Sequence, residues 1–204
     1  MTLTGNEEQP SKERIELSVF GPGIGECCVL HLGDGKWFVV DSCLDDGEPV
    51  ALTYLEHLGV DVAEDIVGVL LTHWHDDHIA GVARVFEAAR SARLYCSAAF
   101  NSDDLLHLVE LQRGVPASDE RCTSELIRLF EILQERSPPN HRKVGLGPEL
   151  VRADQKLFEH QLGAGTVELK ALSPSSEDIH RARQEFAQLL PRFSDSQGRP
   201  VAFS

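Results

Sequence analysis

The segment His73-Trp74-His75-Asp76-Asp77-His78 is histidine or aspartate at every position but one. In an extended chain, side chains i and i+2 project to the same side, so His73 and His75 can converge on one point. Asp77 and His78 then enter the following turn as a second pair, and two adjacent metal positions become possible. Imidazole and carboxylate without thiolate favour zinc, while manganese, iron and cobalt share the same ligand chemistry. A metal held this way, with one position open to water, lowers the pKa of that water from 15.7 to roughly 7, and a second ion can clamp the leaving oxygen. The chemistry implied is hydrolysis without a side-chain nucleophile. The plainer alternative is a polar turn in which Asp77 or His78 caps the next helix, and the density of ligand-type residues argues against it.

The flanking sequence supplies elements that could hold such a cluster. Ile66 to Leu71 is almost continuously apolar, as a strand buried on both faces is, and the cluster sits at its C-terminal end. Beyond it, Val82, Val85, Phe86 and Ala89 have the spacing of an amphipathic helix, and Arg93 to Ser97 reads as a strand. Upstream, Arg14 to Phe20 and Glu26 to Leu32 read as strands divided by the turn GPGIG. A third run, KWFVVD, ends at Asp41, and Gly33-Asp34-Gly35 marks the hairpin before it. Ala51, Leu55 and Leu58 share one face of a helix that stops at Gly59.

Farther along, one helix is predicted from Asn101-Ser102 to before Gly114. Another carries Cys122, Leu126, Leu129, Phe130 and Leu133 until Pro138-Pro139 breaks it. Asn140 to Gly165 reads as a polar stretch, Thr166 to Leu172 as a strand, and SPSSED as the start of a helix containing Ile179 and Phe186. Strands alternating with helices predict a layered α/β domain over residues 14–204, preceded by a flexible tail, 1–13.

The 204-residue chain, 42% hydrophobic and 25% charged, can bury one substantial core or two small ones. Its net charge of −14 opposes nonspecific attraction to nucleic acid, so any such substrate must be held locally. No apolar stretch approaches the roughly 20 residues of a membrane-spanning helix, and the N-terminus is polar, so a cytoplasmic protein with no membrane partner is expected. Cys27, Cys28, Cys43, Cys96 and Cys122 form no CxxC pair and read as buried free thiols. There is no GxxxxGK[ST] phosphate loop and no GxSxG nucleophile elbow, and GPGIG lacks the strand-turn-helix context of a dinucleotide site.

HWHDDH fits the HxHxDH signature of the metallo-β-lactamase superfamily, and Asp41 in WFVVDS resembles the aspartate that closes an early strand in its members. GPGIGECCVLHLGDGKWFVVDSC further resembles the opening of the branch that includes the metallo-hydrolase domain of the DNA-uptake competence protein. The resemblance implies a four-layered αββα sandwich with metals at one edge between its two sheets. It implies that His73 and His75 bind the first zinc ion and Asp77 and His78 the second, with manganese or iron as substitutes. Asp77 would also lie near the attacking water, and Asp41 would support the ligands from an outer shell. The activity implied is that of a metal-dependent hydrolase, with phosphodiester or nucleic-acid substrates suggested by the narrower resemblance. Thioester, lactone or β-lactam hydrolysis on the same site is the alternative. A non-catalytic partial domain serving as a subunit or interaction module is another.

The family pattern also calls for a third histidine on the first metal, a bridging aspartate after a later strand, and a further histidine near the C-terminus. His141, in PPNHRK, is a weak candidate for the first of these. His160 and His180 read as surface histidines, Asp178 as a helix-start residue, and Asp195 as part of a polar loop. The first half of the sandwich is therefore clear and the second half incomplete. The expectation is a C-terminally truncated domain, or one completed by another chain or by a homo-oligomer, because an exposed sheet face or edge favours association.

Overall fold

The computed structural model describes residues 8–21, 23, 25–73, 76–99, 121–136 and 147–189. Strands β1 (Glu16–Phe20), β2 (Cys27–His31) and β3 (Trp37–Val40) form the expected antiparallel meander. Their registers pair Glu16 with His31 and Cys28 with Val40. The β2–β3 turn closes through Leu32 N to Lys36 O at 2.7 Å, with Asp34 left-handed at φ 50°. The paired strands β4 (Leu44–Asp45) and β5 (Glu48–Pro49) lead into α1 (Val50–His57) and α2 (Val62–Asp65).

Strand β6 (Ile66–Leu71) returns parallel to β3, pairing Val69 with Val39 and Leu70 with Val40. After α3 (Asp76–Ile79) and α4 (Val82–Ala88), β7 (Arg93–Ser97) lies parallel to β6. Helix α5 (Arg121–Arg136) precedes β8 (Glu149–Val151), which pairs parallel with β7. The mixed sheet runs β1-β2-β3-β6-β7-β8. Because β3, β6 and β7 are parallel, their C-terminal ends emerge on one side of the sheet, where open α/β sheets place their ligands.

One face of this sheet packs Val29, Trp37, Val39, Val69 and Leu71 against Leu55, Val85, Phe86 and Leu129 of the helices. Helix α5 is fastened there by polar contacts as well. Glu125 Oε2 accepts from the Ala83 amide at 2.9 Å, and the Arg136 guanidinium lies 4.0 Å from the centre of the Phe86 ring. The second face carries β9 (Lys156–Leu162) and β10 (Gly165–Lys170), an antiparallel hairpin covering Leu32, Phe38, Tyr95 and Val151 with Leu157 and Val167. The Tyr95 hydroxyl donates to Leu157 O at 2.9 Å. Gly68 is required beneath this layer, since a Cβ there would lie 2.3 Å from Phe38 Cε2. Helix α6 (Ser176–Leu189) begins with a reciprocal cap: Asp178 N donates to Ser175 Oγ at 3.2 Å, and Ser175 N donates to Asp178 Oδ2 at 3.2 Å.

The predicted polar stretch from Asn140 to Gly165 is corrected in its second part, which holds β8 and β9. Strand β8 has only three residues, and β9, KLFEHQL, intersperses charges that face solvent with a single fully buried residue, Leu157. Its apolar signal is therefore thin. Among the described residues, this two-stranded layer covers the second face around Leu32, Phe38, Tyr95 and Val151 and leaves Leu17 and Val19 of β1 exposed on it. The predicted helix at 101–114, together with His75, His141 and Asp195, lies outside the described residues, as does the side chain of Cys122.

Candidate metal centre

The site forms where the parallel ends of β3 and β6 stand side by side. Asp41 N donates to Leu70 O at 2.8 Å, carrying the ladder one step past β3. Asp41 itself is left-handed at φ 57°, a conformation that aspartate tolerates better than most residues. The chain turns there, and Ser42 N donates to His78 O at 2.8 Å, tying the strand end to α3.

Asp41 is 4% exposed, and its carboxylate accepts three hydrogen bonds from described residues. Oδ1 accepts from the Thr72 amide at 2.8 Å, and Oδ2 accepts from Thr72 Oγ1 at 2.5 Å and from His78 Nδ1 at 2.9 Å. An ionised carboxylate only accepts, so the neutral His78 ring carries its proton on Nδ1 and presents the Nε2 lone pair. That nitrogen lies 3.6 Å from Asp77 Oδ2. Thr72 Oγ1, having spent its proton on Asp41, lies 3.0 Å from His73 Nδ1 and is placed to accept from it. This bond fixes the same tautomer on His73. The two imidazoles stand face to side, with ring centres 3.7 Å apart and planes at 47°.

Ligand atoms of Asp41, His73 and His78 all lie within 4.8 Å of one another. Two imidazoles, each with its Nδ1 engaged by a neighbouring oxygen and flanked by carboxylates, match the donor chemistry of a divalent first-row ion. Among the described residues no cysteine joins this cluster, and burial pushes the Cys27 thiol far up and the Cys96 thiol to about 12.

Of the sequence candidates, Asp41, His73, Asp77 and His78 are brought together, and His75 and His141 lie outside the described residues. The grouping by sequence set His73 with His75 and Asp77 with His78; the structure also sets His73 directly against His78. His160 and His180 are engaged elsewhere, with Leu32 O at 2.8 Å and Gln184 Nε2 at 2.9 Å. Sequence reasoning missed Thr72, whose signal was a hydroxyl at the strand end immediately before the first histidine. It also missed the fit of the GPGIG turn against the site. Glu26 N donates to Asp77 O at 3.0 Å, Glu26 Oε1 lies 3.8 Å from His78 Nδ1, and a Cβ on Gly25 (φ 103°) would lie 2.7 Å from Asp77 O.

Residues 20–112 match the family profile described as the metallo-beta-lactamase superfamily, a span that includes Asp41 and the whole His73–His78 cluster. The match takes in less than half of the chain, which over that span is similar to this superfamily, and the mixed α/β sheet with flanking helices is consistent with the superfamily's fold. A solved structure, a beta-lactamase domain protein from Burkholderia ambifaria, is similar at 16% identity and a TM-score of 0.35. The similarity covers 78% of this chain and 48% of that one, so the chain spans about half of its length. No curated protein matches the sequence. No helix among the described residues is long and apolar enough to cross a membrane.

Proposed function

We propose that this protein is a metal-dependent hydrolase whose metal is held by His73 and His78 with Asp77, and whose preferred substrates are phosphodiesters, nucleic acids among them. The observation that carries this reading is the Asp41 carboxylate, buried and shared between Thr72 and His78, which engages the His78 Nδ1 directly and the His73 Nδ1 through Thr72 and leaves each Nε2 for a metal. Zinc is the expected ion and manganese or iron its substitutes, with two ions when His75 joins the set. When bound, the metal supplies an acidified water and an electrophile for the scissile group. The chain's residues do the remainder: Asp41 fixes the His78 tautomer, Thr72 fixes that of His73, and the Asp77 carboxylate, 3.6 Å from His78 Nε2, would orient the water.

The phosphodiester preference is supported by the likeness of GPGIGECCVLHLGDGKWFVVDSC to the DNA-uptake branch. The net charge of −14 counts against a polyanionic substrate in general, but bound cations reverse the field locally. Cleavage of DNA, RNA, a simple phosphodiester, a thioester and a lactone, each with zinc and with manganese, tests the assignment. Turnover of a phosphodiester that disappears in His78→Ala supports it. Equal rates for both proteins refute the catalytic site, and turnover of only the thioester or lactone refutes the substrate class.

A further inference from the structure

Among the described residues, three of the four large apolar side chains left exposed lie at one strand, the fourth being Leu172. Ile15, Leu17 and Val19 are 58, 59 and 66% exposed and alternate along one face at β1, an edge strand of the six-stranded sheet. An edge strand leaves backbone donors and acceptors unpaired on its outer side, and charges or prolines ordinarily guard it. From Ile15 to Phe20 the only charge is Glu16, already paired with Arg14 at 3.3 Å. The residues before β1 are drawn elsewhere: Asp34 N donates to Lys12 O at 2.7 Å, and Gln9 Nε2 donates to Leu58 O at 2.9 Å.

We propose that a second copy of this chain pairs with β1, antiparallel, about a two-fold axis at Leu17, joining the two large sheets into one. In that register Leu17 faces Leu17 of the second copy, and Ile15 faces its Val19 at both ends. Glu16 faces Ser18, and Arg14 faces Phe20. Every apolar side chain on the exposed face meets another, and each charge meets a neutral residue. The neighbouring registers fail this test: an axis at Glu16 sets two glutamates directly opposite, which is destabilising, and an axis at Ser18 sets Ile15 against Gly21. A two-fold pairing closes on itself and consumes the edge, so assembly stops at the dimer. One strand pair buries less than the roughly 800 Å² per partner of a standard interface, so the dimer forms with concentration. Because the subunits carry the same net charge of −14, added salt strengthens it by screening their repulsion.

Sedimentation equilibrium of the whole chain, from micromolar to millimolar, provides the test. The expected result is a monomer–dimer equilibrium that tightens with salt. Leu17→Lys, which opposes two ammonium groups across the axis, should weaken it by at least about tenfold, and its circular dichroism should match wild type because the side chain is exposed. Ile15→Lys and Val19→Glu should each weaken the dimer. The double variant Ile15→Lys/Val19→Glu, which sets lysine against glutamate at both ends, should recover it. A chain that stays monomeric throughout overturns the proposal, as does a dimer indifferent to Leu17→Lys. A double variant no tighter than the two single ones overturns the register.

Discussion

His78 Nδ1 and Asp41 Oδ2 meet at 2.9 Å across 37 positions of sequence, joining α3 to the residue that follows β3. The carboxylate decides which nitrogen of His78 is free. Asp41→Asn preserves shape and tolerates the left-handed backbone, but with its oxygen turned to Thr72 it offers His78 an N–H donor. The proton moves to Nε2, the nitrogen a metal needs. Zinc affinity should fall about 10- to 100-fold with the fold intact, measured by competition against a chelating dye. Unchanged affinity would show that the carboxylate does not set the tautomer.

Thr72 serves both Asp41 and His73 through one hydroxyl, so Thr72→Val and Thr72→Ser should separate. Valine keeps the branched shape but loses both bonds, and the cost in urea unfolding should be about 1 kcal/mol, kept small by solvent at this residue. Serine should recover most of that loss together with the metal affinity. If valine and serine behaved alike, the hydroxyl would have no part in orienting His73.

Gly25 holds the turn against α3. Gly25→Ala brings a Cβ to 2.7 Å from Asp77 O at φ 103° and should cost about 2 kcal/mol while loosening metal binding. Gly47 (φ 83°) has nothing within 4 Å of its would-be Cβ. Gly47→Ala should therefore cost only the strain of a left-handed alanine, about 1 kcal/mol, and leave the metal untouched. Chemical unfolding and zinc titration of both variants check the pair, and equal metal affinities would detach the turn from the site.

His31 reports on pH. It is 1% exposed, its ring centre lies 4.7 Å from that of Trp37, and its Nδ1 has no hydrogen-bond partner among the described residues. Burial lowers its pKa below the ordinary 6.5. The unfolded chain therefore binds a proton that the folded chain refuses, and stability rises with pH through that window. Acid should erode stability from about pH 6.5 downward. His31→Phe, which keeps the ring beside Trp37, should flatten the dependence of the urea midpoint between pH 7.5 and 5; an identical slope would remove His31 as its source.

The meander, the buried strand β6 and the helix after the cluster were legible because each has a clear period or a turn signal: Asp34-Gly35, the run Ile66 to Leu71, and the spacing of Val82, Val85 and Phe86. His73, Asp77 and His78 were legible because ligand-type residues are dense in that segment, whereas Asp41 entered only through the resemblance of WFVVDS to an early strand end. Thr72 and Gly25 were not legible, because their roles arise only when the strand ends are set side by side: Thr72 beside Asp41, 31 positions away, and Gly25 against the Asp77 carbonyl. Strands β8 and β9 escaped because one is three residues long and the other rests on a single fully buried leucine.

Calorimetric titration of zinc into chelator-stripped wild type and His78→Ala tests the central claim most directly. The account predicts saturable binding by wild type and a loss of at least about tenfold in affinity when the ring held by Asp41 is removed. Equal affinity and stoichiometry in the two proteins would contradict it.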